Sequence, residues 1–183
     1  MPIRVGYLVG SLSAQSINRK VADKIVELAS PNLEFTEIPI KDLPLYNHDL
    51  DADYPQVALD LKAAIAASDA IMFVTPEYNR SMPGSLKNAI DWASRPWGQN
   101  AFAGKPAGIV GASAGAPGTS MAQQHLRNVL GFLDMPTMRQ PEAYVQYEEG
   151  GLDTERTQAF LKAWVDAFEA YIGLWHKATD KVV

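Results

Sequence analysis

The 183-residue sequence contains no cysteine. That absence excludes a disulfide scaffold, a zinc–thiolate site, an iron–sulfur cluster and a cysteine nucleophile. No apolar run approaches the roughly 18 residues that a membrane-spanning helix needs, so no membrane partner is expected. Basic residues are outnumbered: 16 Lys and Arg stand against 21 Asp and Glu, a formal net charge of −5. Without a clustered basic stripe, the chain is poorly suited to gripping nucleic acid. Histidine is scarce, with three in the chain. His48 and His125 have no second ligand at i+4 or at another metal spacing, so no metal site is expected. Asp49, Asp51 and Asp53 imitate the start of a calcium loop. Tyr54 stands where that loop needs glycine, and Asp60 where it needs a glutamate, so the segment reads as a solvated acidic loop. Met1 to Val5 enters strand-like sequence with no charged-then-apolar leader, which makes the cytoplasm the expected location.

What is present is the material of a folded core. Hydrophobic residues make up 47% and charged residues 20%, a balance that favours a packed interior over disorder. The length suits one domain over residues 1–183. Two periods alternate along it. Residues 3–9 form a short apolar run ending at Gly10, the pattern of a buried strand. Residues 16–30 place Ile17, Val21, Ile25 and Leu28 at helical spacing, and residues 33–38 read as a second strand. Pro39, Pro44 and Pro55, with the acidic residues between them, make residues 39–55 a loop. A helix is expected over 57–67 with Leu61 and Ile65 on one face, then a third strand over 70–75. Pro83 and Gly84 open a helix to about Ala93 that carries Trp92; with Trp97 beyond it, this tryptophan reads as a core or interface aromatic. A strand over 106–112, a helix over 119–133 and a short strand over 143–146 follow. The last helix starts near Thr154, with Phe160, Trp164, Phe168, Tyr171 and Trp175 on a core-facing stripe.

Strands alternating with helices imply parallel pairing through right-handed crossovers. Continuously apolar strands imply a sheet covered on both faces. The expected architecture is a doubly wound α/β sandwich of three layers. Ligands of such folds bind beyond the carboxyl ends of the strands, which selects the loops after Val9, Thr75 and Ala112.

The first loop, residues 10–18, reads GSLSAQSIN. Ser11, Ser13, Ser16 and Asn18 offer short polar side chains, and the helix start adds free N–H groups, that of Ile17 among them. A phosphate dianion suits such a place, because a helix N-terminus carries partial positive charge. Neither the dinucleotide G-x-G-x-x-G spacing nor the P-loop occurs here. A plainer alternative is that Ser16 or Asn18 only caps the helix. In the second loop, Pro76 ends the strand and Glu77, Tyr78 and Asn79 follow at the sheet edge. Their backbone groups need partners, which a planar heteroaromatic ligand would supply while Tyr78 stacks or lines the pocket. The third loop, residues 111–118, carries three glycines that permit close backbone approach. Its Gly111-Ala112-Ser113-Ala114-Gly115 also matches a nucleophile elbow, with Asp153 or Asp166 and then His176 in hydrolase order. Against that reading, Pro117 and Gly118 delay the helix, and no H-G-G-G segment precedes it.

GSLSAQSIN after the first strand, PEYNRSMPGSLKNAIDW after the third and the Ser/Gly loop after the fourth occur in order over nearly the whole chain. Together they resemble the NADPH-dependent FMN reductase family of flavodoxin-like proteins, in particular its quinone and chromate reductase branch. The resemblance implies a five-stranded parallel sheet of order 2-1-3-4-5. It implies an FMN phosphate on Ser11, Ser13, Ser16, Ile17 and Asn18. It implies a flavin ring against Pro76, Glu77, Tyr78 and Asn79, closed by Ser113, Ala114 and Gly115. It also implies NADPH or NADH as co-substrate, a quinone, chromate or azo acceptor, and ping-pong kinetics. No side chain is expected to be catalytic in itself, because the cofactor performs the hydride transfer. A homodimer or homotetramer is implied, with Arg127 and Glu142 at positions that the branch uses in tetramer contacts. Two departures stand out. Ser13 occupies a place where many relatives have Arg, which implies looser FMN binding. Arg80 replaces a frequent aromatic and becomes a candidate for the phosphates of NAD(P)H. The alternatives are a flavodoxin-type electron carrier without NAD(P)H oxidation and a serine hydrolase acting through Ser113.

Overall fold

In the computed structural model, which describes residues 1–179, strand and helix alternate as the hydrophobic periods require. The strands are β1 (Ile3–Val9), β2 (Leu33–Glu37), β3 (Ala70–Val74), β4 (Ala107–Ser113) and β5 (Ala143–Gln146). The helices are α1 (Ile17–Leu28), α2 (Gln56–Ala67), α3 (Gly84–Ala93), α4 (Ser120–Phe132) and α5 (Glu155–Thr179). All neighbouring strands pair in parallel, in the order β2-β1-β3-β4-β5. This is the flavodoxin-like arrangement, with one difference in detail: residues 39–55 are not wholly irregular, since His48–Ala52 forms a 3-10 turn.

The centre of the sheet explains the layering. Every residue of β3 is buried, so both of its faces need cover. On one face α1 and α5 pack Val21, Ile25, Trp164 and Phe168 against Val5, Met72 and Val110. On the other, α2, α3 and α4 pack Leu61, Ile65, Leu86, Trp92 and Leu126 against Leu8, Ile71, Phe73 and Ile109. Trp92 is a core residue, edge-on to Tyr46 and Tyr54. The stripe on α5 is rotated from the expected one. Its buried face is Leu161, Trp164, Val165, Phe168 and Ile172, while Phe160 is exposed and Tyr171 and Trp175 are half-buried. Adjacent apolar residues such as Phe160 and Leu161 fit one period equally well, and packing chooses between them.

One buried polar side chain joins the first crossover to the middle of the sheet. β3 ends at Val74, with Thr75 N–H donating to the Val110 carbonyl at 2.9 Å. The next peptide of β4 facing that side, at Ala112, has no strand beside it. Asn18 stands in for one. Its Nδ2 donates to the Ala112 carbonyl and its Oδ1 accepts from the Ala112 N–H, each at 2.9 Å. A side-chain amide carries the same donor and acceptor as a peptide, so Asn18 continues the ladder that β3 abandons. Truncation would orphan two buried backbone groups, each costing about 1–3 kcal/mol. We expect Asn18→Ala to lower the unfolding free energy by about 2–5 kcal/mol, read from the urea midpoint. A loss below about 0.5 kcal/mol, the range of an ordinary surface change, would show the tie to be dispensable.

Candidate functional site

The carboxyl ends of β1, β3 and β4 bring the three loops to one edge of the sheet. In the first, Ser16 caps α1 by accepting from Arg19 N–H at 3.1 Å. Ser16 N–H donates to the Ser13 carbonyl at 3.2 Å, and Ser13 Oγ accepts from Gln15 N–H at 3.2 Å. Ser11 is buried and Ser13 exposed. Among the described residues, the backbone N–H groups of Ser11, Leu12, Ser13, Ala14, Ile17 and Asn18 donate to no protein acceptor. The first turn of α1 holds no acidic residue, so the positive end of the helix is uncompensated. Arg19 does not supply a cation here: its guanidinium forms a forked pair with Glu37 at 2.6 and 2.8 Å. A cavity of about 380 Å³ flanks this loop, lined by Ser11, Leu12, Ser13, Ala14 and the end of β2.

The second loop turns back on itself. Tyr78 N–H donates to the Ser81 carbonyl at 2.9 Å and Ser81 N–H to that of Tyr78 at 3.0 Å. Asn79 and Arg80 between them have φ of 51° and 61°. Two left-handed residues at the centre of a two-residue turn are the type I′ pattern. Asparagine accepts that backbone readily, while arginine pays a strain of order 1 kcal/mol. The turn presents Tyr78, 55% exposed, and Arg80, which forms no ion pair among the described residues. His125 Nδ1 lies 3.1 Å from Ser81 Oγ at its base.

The third loop is Ser113 with the exposed Ala114 and Gly115. The Ser113 hydroxyl donates to the Gly115 carbonyl at 2.9 Å, and among the described residues the Ala114 and Gly115 N–H groups meet no protein acceptor. The hydrolase alternative fails on geometry. His176 lines a cavity with Arg4 and Asp69 at the amino end of the strands, opposite Ser113. Asp153 pairs with Lys24 and Asp166 with Lys162. α4 starts at Ser120, seven residues after Ser113, not at the nucleophile. Asp51, in the acidic loop, binds Tyr46 and His48. Among the described residues no three metal-ligating side chains come together.

Three side chains tie the loops together pairwise. Asn18 joins the first to the third, so both polar ends of its amide serve the frame. Ser85, in the first turn of α3, donates to the Gly10 carbonyl at 2.8 Å and joins the second to the first. Glu77 joins the second to the third: its Oε2 accepts from the N–H groups of Met121 and Ala122, both at 3.1 Å. Thr119, the residue before α4, has φ of 73° and gives no side-chain cap. Glu77 therefore caps α4 from another loop. Two glycines let the loops close. A Cβ at Gly10 would sit 3.1 Å from Pro76 and Pro83, and one at Gly111 would fall 2.2 Å from the Thr75 carbonyl. The Ser85 and Glu77 ties escaped the sequence reading, because each links residues far apart in the chain. Asn18 did leave a signal, since it shares the buried face of α1 with Val21, Ala22 and Ile25.

The pair Arg127 and Glu142 lies within one chain at 3.8 Å, with Arg127 also donating to the Met138 carbonyl at 2.8 Å. Trp97 and Phe132 are 77% and 73% exposed and meet at 6.5 Å. They border a groove of about 560 Å³ between α3 and α4, away from the three loops.

Residues 3–150 match the family model described as NADPH-dependent FMN reductase. A 2-hydroxy-1,4-benzoquinone reductase of a Burkholderia species is 45% identical over 178 residues, covering 94% of this chain and 97% of that protein. A quinone reductase of Pseudomonas putida is 47% identical over 176 residues, covering 93% and 95%. Among solved structures, FerB of Paracoccus denitrificans, a flavoenzyme NAD(P)H:(acceptor) oxidoreductase, superposes with a TM-score of 0.89 at 46% identity, covering 93% of this chain and 97% of that one. With the fold, the loop edge and these relatives in agreement, the chain belongs to the NADPH-dependent FMN reductase family.

Proposed function

We propose that residues 1–183 form one FMN-binding domain that oxidises NADPH or NADH and reduces quinones, with chromate and azo compounds as further acceptors. The observation that carries this reading is the donor set of the first loop. Free N–H groups from Ser11 to Ala14 and at the start of α1, with no acidic residue in that turn, fit a phosphate dianion. Ser11, Ser13 and Ser16 add hydroxyls. Asn18 contributes its backbone N–H, since its amide is committed to Ala112. With Ser13 in place of a cation, the loop holds the phosphate by dipoles alone, and FMN binds less tightly than an arginine would allow.

The ring would lie between Pro76, Glu77, Tyr78 and Asn79 on one side and Ser113, Ala114 and Gly115 on the other. The free amides of Glu77, Asn79, Ala114 and Gly115 suit its polar edge. Bound there, FMN would supply the two-electron redox chemistry between nicotinamide and acceptor. The chain contributes position: the three ties keep both walls and the phosphate loop in one frame. The exposed Tyr78–Arg80 turn leaves the outer side open, so nicotinamide and acceptor use one entrance in turn. Arg80 stands on that turn, exposed and in no ion pair among the described residues, suited to a nicotinamide cofactor's phosphate. The relatives named for quinones support the acceptor class. The cytoplasm, where NAD(P)H is supplied, is the proposed location. Among the described residues no helix is long and apolar enough to cross a membrane.

The exposed Trp97 and Phe132, beside the groove between α3 and α4, support a subunit interface, the first step to a dimer or tetramer. Sedimentation should find at least twice the chain mass, with Trp97→Ser/Phe132→Ser shifting it to that of one chain. A monomeric wild type would contradict this. For the reaction, initial rates with NADPH and benzoquinone should give parallel double-reciprocal lines. Arg80→Ala should raise the NADPH KM about tenfold, the worth of one charge-assisted hydrogen bond, and leave the quinone KM unchanged. Intersecting lines would contradict the shared entrance, and an unchanged NADPH KM would remove Arg80. FMN binding with no NAD(P)H oxidation would make the protein an electron carrier instead.

A further inference from the structure

We propose that Glu77 is a positioning residue whose carboxylate, seated on the N-terminus of α4, makes bound FMN harder to reduce. The inference rests on the reading of the site as an FMN pocket, and concerns a side chain for which that reading needs only backbone groups.

Three observations carry it. The Oε2 atom of Glu77 accepts from Met121 and Ala122 N–H at 3.1 Å each. The first turn of α4 has no acidic residue of its own, and Thr119 does not cap it. Glu77 also belongs to one wall of the pocket while α4 begins at the end of the other. A helix N-terminus is equivalent to about +0.5 elementary charge. Alone, that end of α4 would turn the local potential positive. With a carboxylate on it, the sum is about −0.5. Among the described residues, neither Lys nor Arg forms an ion pair with Glu77 to cancel the remainder. Reduction adds electron density to the ring, and a negative neighbour opposes it. The two helix ends at this edge thus do different work: α1 keeps its positive end for a phosphate, and α4 gives its up.

The test compares Glu77→Gln with the wild type, both loaded with FMN. Glutamine keeps an oxygen that can accept from the same two N–H groups, so the wall stays in place while the charge goes. We expect one FMN per chain in both proteins. In the variant, the equilibrium between oxidised and reduced flavin should shift about tenfold toward the reduced form, a rise of about 30 mV in midpoint potential for a two-electron couple. Glu77→Ala removes charge and cap together. It should show the same rise in potential, with a lower melting temperature and weaker FMN retention than the glutamine variant. An unchanged or lowered potential in Glu77→Gln would overturn the proposal while leaving the flavoprotein reading intact. Failure of the wild type to bind FMN would overturn both.

Discussion

The site depends on a place where the sheet runs out of neighbours. β3 stops at Val74 because the chain must turn away at Pro76, yet β4 continues to Ser113. On the β3 side the buried Ala112 N–H and C=O are left with no strand to pair with, and unmet buried backbone groups are costly. Asn18 meets both from the first turn of α1. Meeting that need fixes the height of α1 against the sheet, and with it the loop of Ser11 to Ser16. The third loop is placed by the same pair of hydrogen bonds. Ser85 and Glu77 then bring in the second loop, and Gly10 and Gly111 give the backbones room to approach. Three polar ties on an apolar sheet make a rigid edge from segments distant in the chain.

The electrostatics of that edge follow from parallel topology. Each helix after a parallel strand starts at the carboxyl side, so α1 and α4 both bring positive ends to it. Arg19 is diverted to Glu37 at the end of β2, so the first loop offers dipoles and hydroxyls rather than a full charge. An anion is drawn to α1 because α4 is already served by Glu77. In the proposed flavin site this difference assigns the phosphate to the first loop and the planar ring to the space between the other two.

Much of this was legible in the sequence. The apolar runs of β1 and β3, the Pro83-Gly84 start of α3 and the serine-rich first loop led to the architecture and to the three loops that the fold gathers at the carboxyl edge of the sheet. Periodicity placed Trp164 and Phe168 on the buried stripe of α5 but put Phe160 there in place of Leu161, because both are apolar and only packing against the sheet separates them. Trp92 and Trp97 looked alike in sequence; one became core and the other surface. The proline spacing of residues 39–55 showed a loop, but not that Asn88 and Trp92 fasten it through the Pro44 carbonyl. Glu77 lay hidden for the same reason, since its partners are 44 and 45 positions away. Local propensity carries no information about such ties. Asn18 was the exception, a polar residue on an apolar helix face.

The central claim is that this pinned edge is a flavin site. It is tested most directly by titrating cofactor-stripped protein with FMN and following visible absorbance and flavin fluorescence. The account predicts saturation at one FMN per chain, with altered flavin fluorescence. Absence of saturable binding by a folded protein would contradict it.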